Sequence, residues 1–159
     1  MFEYTDSNRG KFQNEEFAKQ LVSFDGMVYQ GRNGVKNVSP TDIDGYIQLD
    51  DGHINIIFEL KHKGGVLPKG QRDALTKLID DLNCSTAATN ILIVAEHNND
   101  AGSKIIAKDA TVKEYYFNGE WRQSKYPQWE TSNQLETLGE FVQSFAKYYS
   151  EEEKIKRFE

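Results

Sequence analysis

Apolar and polar residues alternate with a period of two on both sides of Asp51-Gly52 in the run TDIDGYIQLDDGHINIIFELK, Thr41 to Lys61. Asp-Gly favours a two-residue type I′ turn, so the run predicts a β-hairpin. With Asp51 and Gly52 in the turn, Asp44 lies opposite Glu59 and Asp42 opposite Lys61, and the Cβ atoms of a facing pair are roughly 5 Å apart. One face then carries Asp42, Asp44, Tyr46, Gln48, Asn55, Ile57, Glu59 and Lys61. The other carries Ile43, Ile47, Leu49, Ile54, Ile56, Phe58 and Leu60 and is expected to be core.

Other periodicities fill in the elements around this hairpin. FQNEEFAKQLVSF reads as an amphipathic helix with Phe17, Leu21 and Phe24 on the buried side. DGMVYQGRNGVKNVSP reads as a short strand, Met27 to Gln30, followed by a glycine-bearing loop. In LPKGQRDALTKLIDDL, Leu75, Leu78, Ile79 and Leu82 recur at helical spacing, with Gln71 on the same stripe one turn earlier. NILIVA, Asn90 to Ala95, has the apolar run of a strand buried on both faces. Asn118-Gly119 signals a second hairpin between Thr111 to Phe117 and Glu120 to Gln123. A closing helix is indicated by Leu135, Leu138, Phe141, Val142 and Phe145, with Asn133 and Glu136 spaced as a capping box. The order predicts an α/β protein with a mixed central β-sheet flanked by helices. One domain is expected over 1–150, with 151–159 a charged, frayed C-terminal tail.

Length and composition narrow the class. A chain of 159 residues is long enough for one self-sufficient core. Its single cysteine, Cys84, excludes an intramolecular disulfide and fits a reducing cytosol. No signal segment or membrane-length apolar run is present, so a cytoplasmic protein without membrane association is expected. His53, His62 and His97 lack paired ligand spacing, which argues against zinc.

The polar hairpin face carries the candidate chemistry. Carboxylates held close repel and raise one another's pKa, and a divalent cation removes the conflict. Mg²⁺ is commonly held by one or two carboxylates plus water and substrate phosphate oxygens, which Asp44 and Glu59 could provide. Lys61 follows Glu59 by two residues on the same side, where it could act on the attacking water or on phosphate charge. Spacing alone fits equally well a solvated face with a cross-strand ion pair of little energetic consequence.

The pattern Asp-x14-Glu-Leu-Lys, with an apolar run before the Glu and a downstream helix opening on Gln, resembles the PD-(D/E)XK nuclease superfamily. The likeness covers roughly the first hundred residues. It implies a restriction-endonuclease-like αβββαβ core and a Mg²⁺- or Mn²⁺-dependent endonuclease that hydrolyses DNA phosphodiester bonds. By the same resemblance Asp44, Glu59, Lys61 and Gln71 are the catalytic set, and Asp44, Glu59 and the Leu60 carbonyl are metal ligands. The resemblance also implies an auxiliary metal-binding acid on the first helix, for which Glu15 is the candidate, although an acid in a first helical turn is also simply favourable with the helix dipole. Asp42 replaces Asp44 if the turn is one pair out, and Glu16 is the alternative to Glu15. Pro40-Thr41-Asp42 departs from a strict Pro-Asp pair. Asn8-Arg9-Gly10 resembles the entry to the first helix in some Holliday-junction-resolving members. Repair, recombination, or phage and mobile-element DNA processing is the implied setting. The alternatives are a junction-resolving homodimer and a non-catalytic nucleic-acid- or protein-binding module on a nuclease scaffold.

The net charge of −6 opposes broad affinity for duplex DNA. Its distribution softens this, because residues 61–77 hold five basic side chains against one acidic. Lys63, Lys69 and Arg72 in that segment are the candidate nucleic-acid contacts, and Gln71 lies near a helix N-terminus, which favours phosphate. The aromatic stretch with Tyr115, Tyr116, Trp121, Tyr126 and Trp129 could stack on bases, but hairpin and core packing is the favoured reading.

Overall fold

The computed structural model describes residues 26–37, 41, 43–100, 102–123 and 136–158, with 151–158 as backbone alone. The chain divides into two compact units, Met1–Pro40 and Thr41–Glu159. In the first, β1 (Val28–Gly31) pairs antiparallel with β2 (Gly34–Asn37) across Arg32 and Asn33, Val28 opposite Asn37 and Gly31 opposite Gly34. The expected single strand and loop are thus a two-stranded hairpin. Gly34 makes the return possible with a φ of +108°.

The second unit is built on a five-stranded mixed sheet, β3 (Gly45–Leu49), β4 (Ile54–His62), β5 (Thr89–His97), β6 (Thr111–Phe117) and β7 (Glu120–Arg122), adjacent in that order. β4 and β5 run parallel and the other neighbours antiparallel. The parallel step requires a crossover, supplied by helix α1 (Lys69–Ser85). Helix α2 spans Leu138–Phe158. It continues through the segment expected to fray, whose Glu and Lys residues are good helix formers.

Both hairpin turns form where their dipeptides lie. Asp51 and Gly52 have φ of +53° and +86°, and the His53 N–H donates to the Asp50 carbonyl at 3.0 Å. Asn118 and Gly119 have φ of +50° and +79°. The first turn pairs Leu49 with Ile54 and Gly45 with Phe58, which is the register expected from the sequence. Gly45 is required by its neighbour: a Cβ there would lie 2.0 Å from the Phe58 ring.

The sheet is covered on two faces. Ile54, Ile56, Phe58, Ile91, Ile93 and Tyr115 pack with Phe141 and Phe145 of α2, at roughly 1.5–3 kcal/mol for each large side chain fully buried. On the opposite face Ile57, Leu92 and Tyr116 pack with Leu75 and Ile79 of α1. The hairpin face expected to be polar and open is therefore partly roofed, because the apolar stripe of α1 needs a surface and Ile57 supplies part of it. Leu78, counted in that stripe, is exposed.

α2 opens with a capping box at Thr137 and Glu140: the Glu140 N–H donates to the Thr137 hydroxyl at 3.3 Å and the Thr137 N–H to Glu140 Oε2 at 3.4 Å. The expected Asn133–Glu136 box is thus displaced to the next turn; Asn133 and Leu135 lie outside the described residues. Among the described residues, no helix is long and apolar enough to cross a membrane.

Candidate active site at the open end of β4

β4 outruns β3. The paired residues of β3 begin at Gly45 opposite Phe58, so Glu59, Leu60, Lys61 and His62 extend past the edge strand. A strand N–H without a ladder partner must be satisfied elsewhere. Asp44 does this: its Oδ2 accepts the Leu60 N–H at 2.7 Å, while the Asp44 N–H donates to Glu59 Oε1 at 3.3 Å. The two acids are locked side by side by reciprocal backbone contacts. In a strand the N–H and C=O of one residue point the same way, so the Leu60 carbonyl leaves on the Asp44 side.

α1 brings the remaining members. Leu67, 5% exposed, anchors the connector from β4, and Pro68 precedes the first helical turn. Gln71 in that turn reaches back, its Nε2 donating to Glu59 Oε2 at 2.8 Å and its Oε1 accepting from Lys61 Nζ at 3.2 Å. Lys61 Nζ is also 3.7 Å from Glu59 Oε2. Asp44, Glu59, Lys61 and Gln71, separated in sequence, thus form one connected cluster. Glu59 is 1% exposed and Lys61 22% exposed, which gives the cluster a buried floor and an accessible rim.

Burial first, and the Asp44 charge second, push the Glu59 carboxyl above the usual carboxylate range; the Asp44 N–H, Lys61 and Gln71 oppose the shift. A divalent cation beside this pair would favour the ionised form. Two hard oxygen donors and an adjacent strand carbonyl therefore fit Mg²⁺ or Mn²⁺. Among the described residues, no three His, Cys, Asp or Glu side chains gather as a metal-holding group. Glu15, Glu16 and Asp42 lie outside the described residues.

The basic candidates differ from one another. Lys63 is exposed in the loop after β4. Lys69 is exposed and bonds Asp73 at 2.6 Å. Arg72 is half-buried, paired with Glu114 and stacked 4.0 Å from the Trp121 ring centroid. Tyr115 and Tyr116 are buried in the two cores, in line with the packing reading; Tyr126 and Trp129 lie outside the described residues.

Sequence reasoning passed over the acidic wall beside this cluster. Glu96 is the register partner of Lys61 on β5; its Oε2 accepts the Gly64 N–H at 3.2 Å, and Lys113 Nζ lies 3.4 Å from its Oε1. The Gly64 N–H, with help from Lys113, holds the Glu96 carboxyl below its usual range. A β-bulge opposite Val94 and Ala95 inserts Lys113 into β6. It lets Lys113 engage Glu96 while Glu114 engages Arg72. The available signal was the parallel register, which sets a residue after NILIVA against Lys61.

No protein-family model, curated protein or solved structure matches this chain.

Proposed function

We propose that the protein is a Mg²⁺- or Mn²⁺-dependent endonuclease that hydrolyses DNA phosphodiester bonds, on a restriction-endonuclease-like core of the PD-(D/E)XK kind. The observation that carries this reading is the convergence of Asp44, Glu59, Lys61 and Gln71 through hydrogen bonds at the end of β4. A purely structural strand end has no need of two carboxylates, one of them buried, beside an ammonium.

Asp44, Glu59 and the Leu60 carbonyl would hold the cation. When bound, it supplies Lewis acidity at the phosphate and makes a nucleophilic water available near neutral pH. Lys61 orients that water and offsets charge on the phosphate. Gln71, bonded to both Glu59 and Lys61, fixes their spacing. Water adds to phosphorus as the P–O ester bond breaks, and a proton lost by the water is taken up through solvent by the departing sugar oxygen, giving a phosphomonoester and an alcohol. Lys63 and Lys69, exposed beside the cluster, contact the DNA backbone.

Incubation with labelled linear, circular and branched DNA and with RNA, with and without Mg²⁺, tests the reading. Metal-dependent cleavage of DNA that disappears in Asp44→Asn supports it. Binding of DNA without cleavage under every metal condition would favour a non-catalytic module.

A further inference from the structure

Tyr46 on β3 lies two residues from Asp44, which precedes the strand, and is 55% exposed. Its hydroxyl is not left to solvent. Tyr46 Oη donates to Asn55 Oδ1 at 2.7 Å, Asn55 Nδ2 donates to Asn90 Oδ1 at 2.9 Å, and Asn90 Nδ2 donates to Asn83 Oδ1 at 2.8 Å. Gln48 Nε2 donates to the same hydroxyl at 3.3 Å. Asn55 and Asn90 are 5% and 1% exposed and face each other across β4 and β5, Asn55 between Ile54 and Ile56 and Asn90 followed by Ile91. Buried amides are tolerated only when satisfied, and a satisfied chain of them rigidifies what it holds. Here it fixes the tip of a ring whose body faces solvent.

We propose that Tyr46 is a stacking platform for an unpaired nucleobase next to the cleaved phosphodiester, so that the substrate is single-stranded or frayed DNA. The proposal rests on the nuclease reading and deepens it. Two residues along a strand span roughly 7 Å, about one extended nucleotide, so a phosphate at Asp44 and Glu59 leaves its neighbouring base over Tyr46. Bases inside a duplex have both faces covered and cannot use such a ring. Stacking is also suited to a chain of net charge −6, whose long-range attraction for a polyanion is weak. Because its hydroxyl is anchored, the ring is pre-oriented and loses little freedom on binding.

The test uses the full chain with Ca²⁺ in place of Mg²⁺ and single-stranded oligodeoxynucleotides carrying 2-aminopurine at successive positions or one abasic residue. Wild type should quench the probe at one position flanking the bond it cleaves in Mg²⁺. Tyr46→Ala should lose the quenching and bind roughly tenfold more weakly, and Tyr46→Phe, which keeps the ring without its anchor, should retain the quenching and bind with an affinity between the two. On the abasic strand, wild type and Tyr46→Ala should bind alike, a result that loss of folding would not give. Equal binding and quenching by wild type and Tyr46→Ala would overturn the platform. So would wild-type binding of duplex but not single strands. Cleavage in Mg²⁺ that depends on Asp44 separates that failure from failure of the nuclease reading, in which no polynucleotide is cut.

Discussion

The backbone N–H of Asp44 points at Glu59 Oε1 from 3.3 Å, although the Asp44 carboxylate repels the charge on that same Glu59. Attraction through the main chain and repulsion through the side chain are built into one facing pair. The arrangement keeps two acids together at a cost that folding alone does not require, and the consequences are measurable.

The first concerns pH. The Glu59 pKa is raised in the folded protein, by burial and then by Asp44, so between its unfolded and folded values the native state binds more protons than the unfolded state. Stability therefore falls as pH rises through that window. Gln at this position does not titrate, so the Tm of Glu59→Gln relative to wild type should rise as pH increases from 4.5, the ordinary value for this side chain, to 8. Thermal melts across pH check this, and a Tm difference that stays constant or moves the other way would contradict it.

Cleavage should separate from folding. Asp44→Asn keeps an acceptor for the Leu60 N–H but removes the charge, so the circular dichroism spectrum should be unchanged. DNA cleavage should fall by on the order of 10²–10⁴-fold, and Lys61→Ala should behave similarly. Full activity in either variant would remove the assigned roles.

Gly45 links packing to the site. A Cβ at this position would lie 2.0 Å from Phe58, so Gly45→Ala should displace the ring or the start of β3, at a cost of about 1–3 kcal/mol in urea unfolding. Because Asp44 is the adjacent residue, DNA cleavage should fall as well. Adding Phe58→Leu should restore part of both losses.

Arg72 and Lys69 should respond differently although both were read as nucleic-acid contacts. Arg72 is held by Glu114 and by the Trp121 face, so Arg72→Ala should lower unfolding stability by roughly 1 kcal/mol. Lys69 is exposed in a surface ion pair, and its loss should leave unfolding stability unchanged. The slope of log affinity for DNA against log salt should then decrease by about one in Lys69→Ala. Denaturant unfolding and salt titrations distinguish the two.

Much of this site was legible because turn chemistry fixes register. Asp51-Gly52 set Gly45 against Phe58, and the next pair along is Asp44 and Glu59. Asn118-Gly119 did the same for β6 and β7. Gln71 was legible because helical periodicity set its stripe toward the sheet, and it reaches both Glu59 and Lys61. What escaped depended on tertiary partners. Alternation alone could not show that α1 covers Ile57 and Glu59, since a half-exposed and a covered strand differ by what lies above them. The bulge at Lys113 breaks the period of two without a local marker, which hid the partners of Glu96 and Arg72. The Thr137–Glu140 box competed with an equally regular spacing one turn earlier, whereas the hairpin of β1 and β2 did carry a local signal, Asn33-Gly34, which a reading of the segment as strand and loop passed over.

Calorimetric titration of Mn²⁺ into wild type and Asp44→Asn tests the paired-acid site most directly. Saturable binding to wild type, weakened at least tenfold by the substitution, is expected when a charged ligand is lost. Equal affinity in both proteins, or no saturable binding to wild type, would contradict the account.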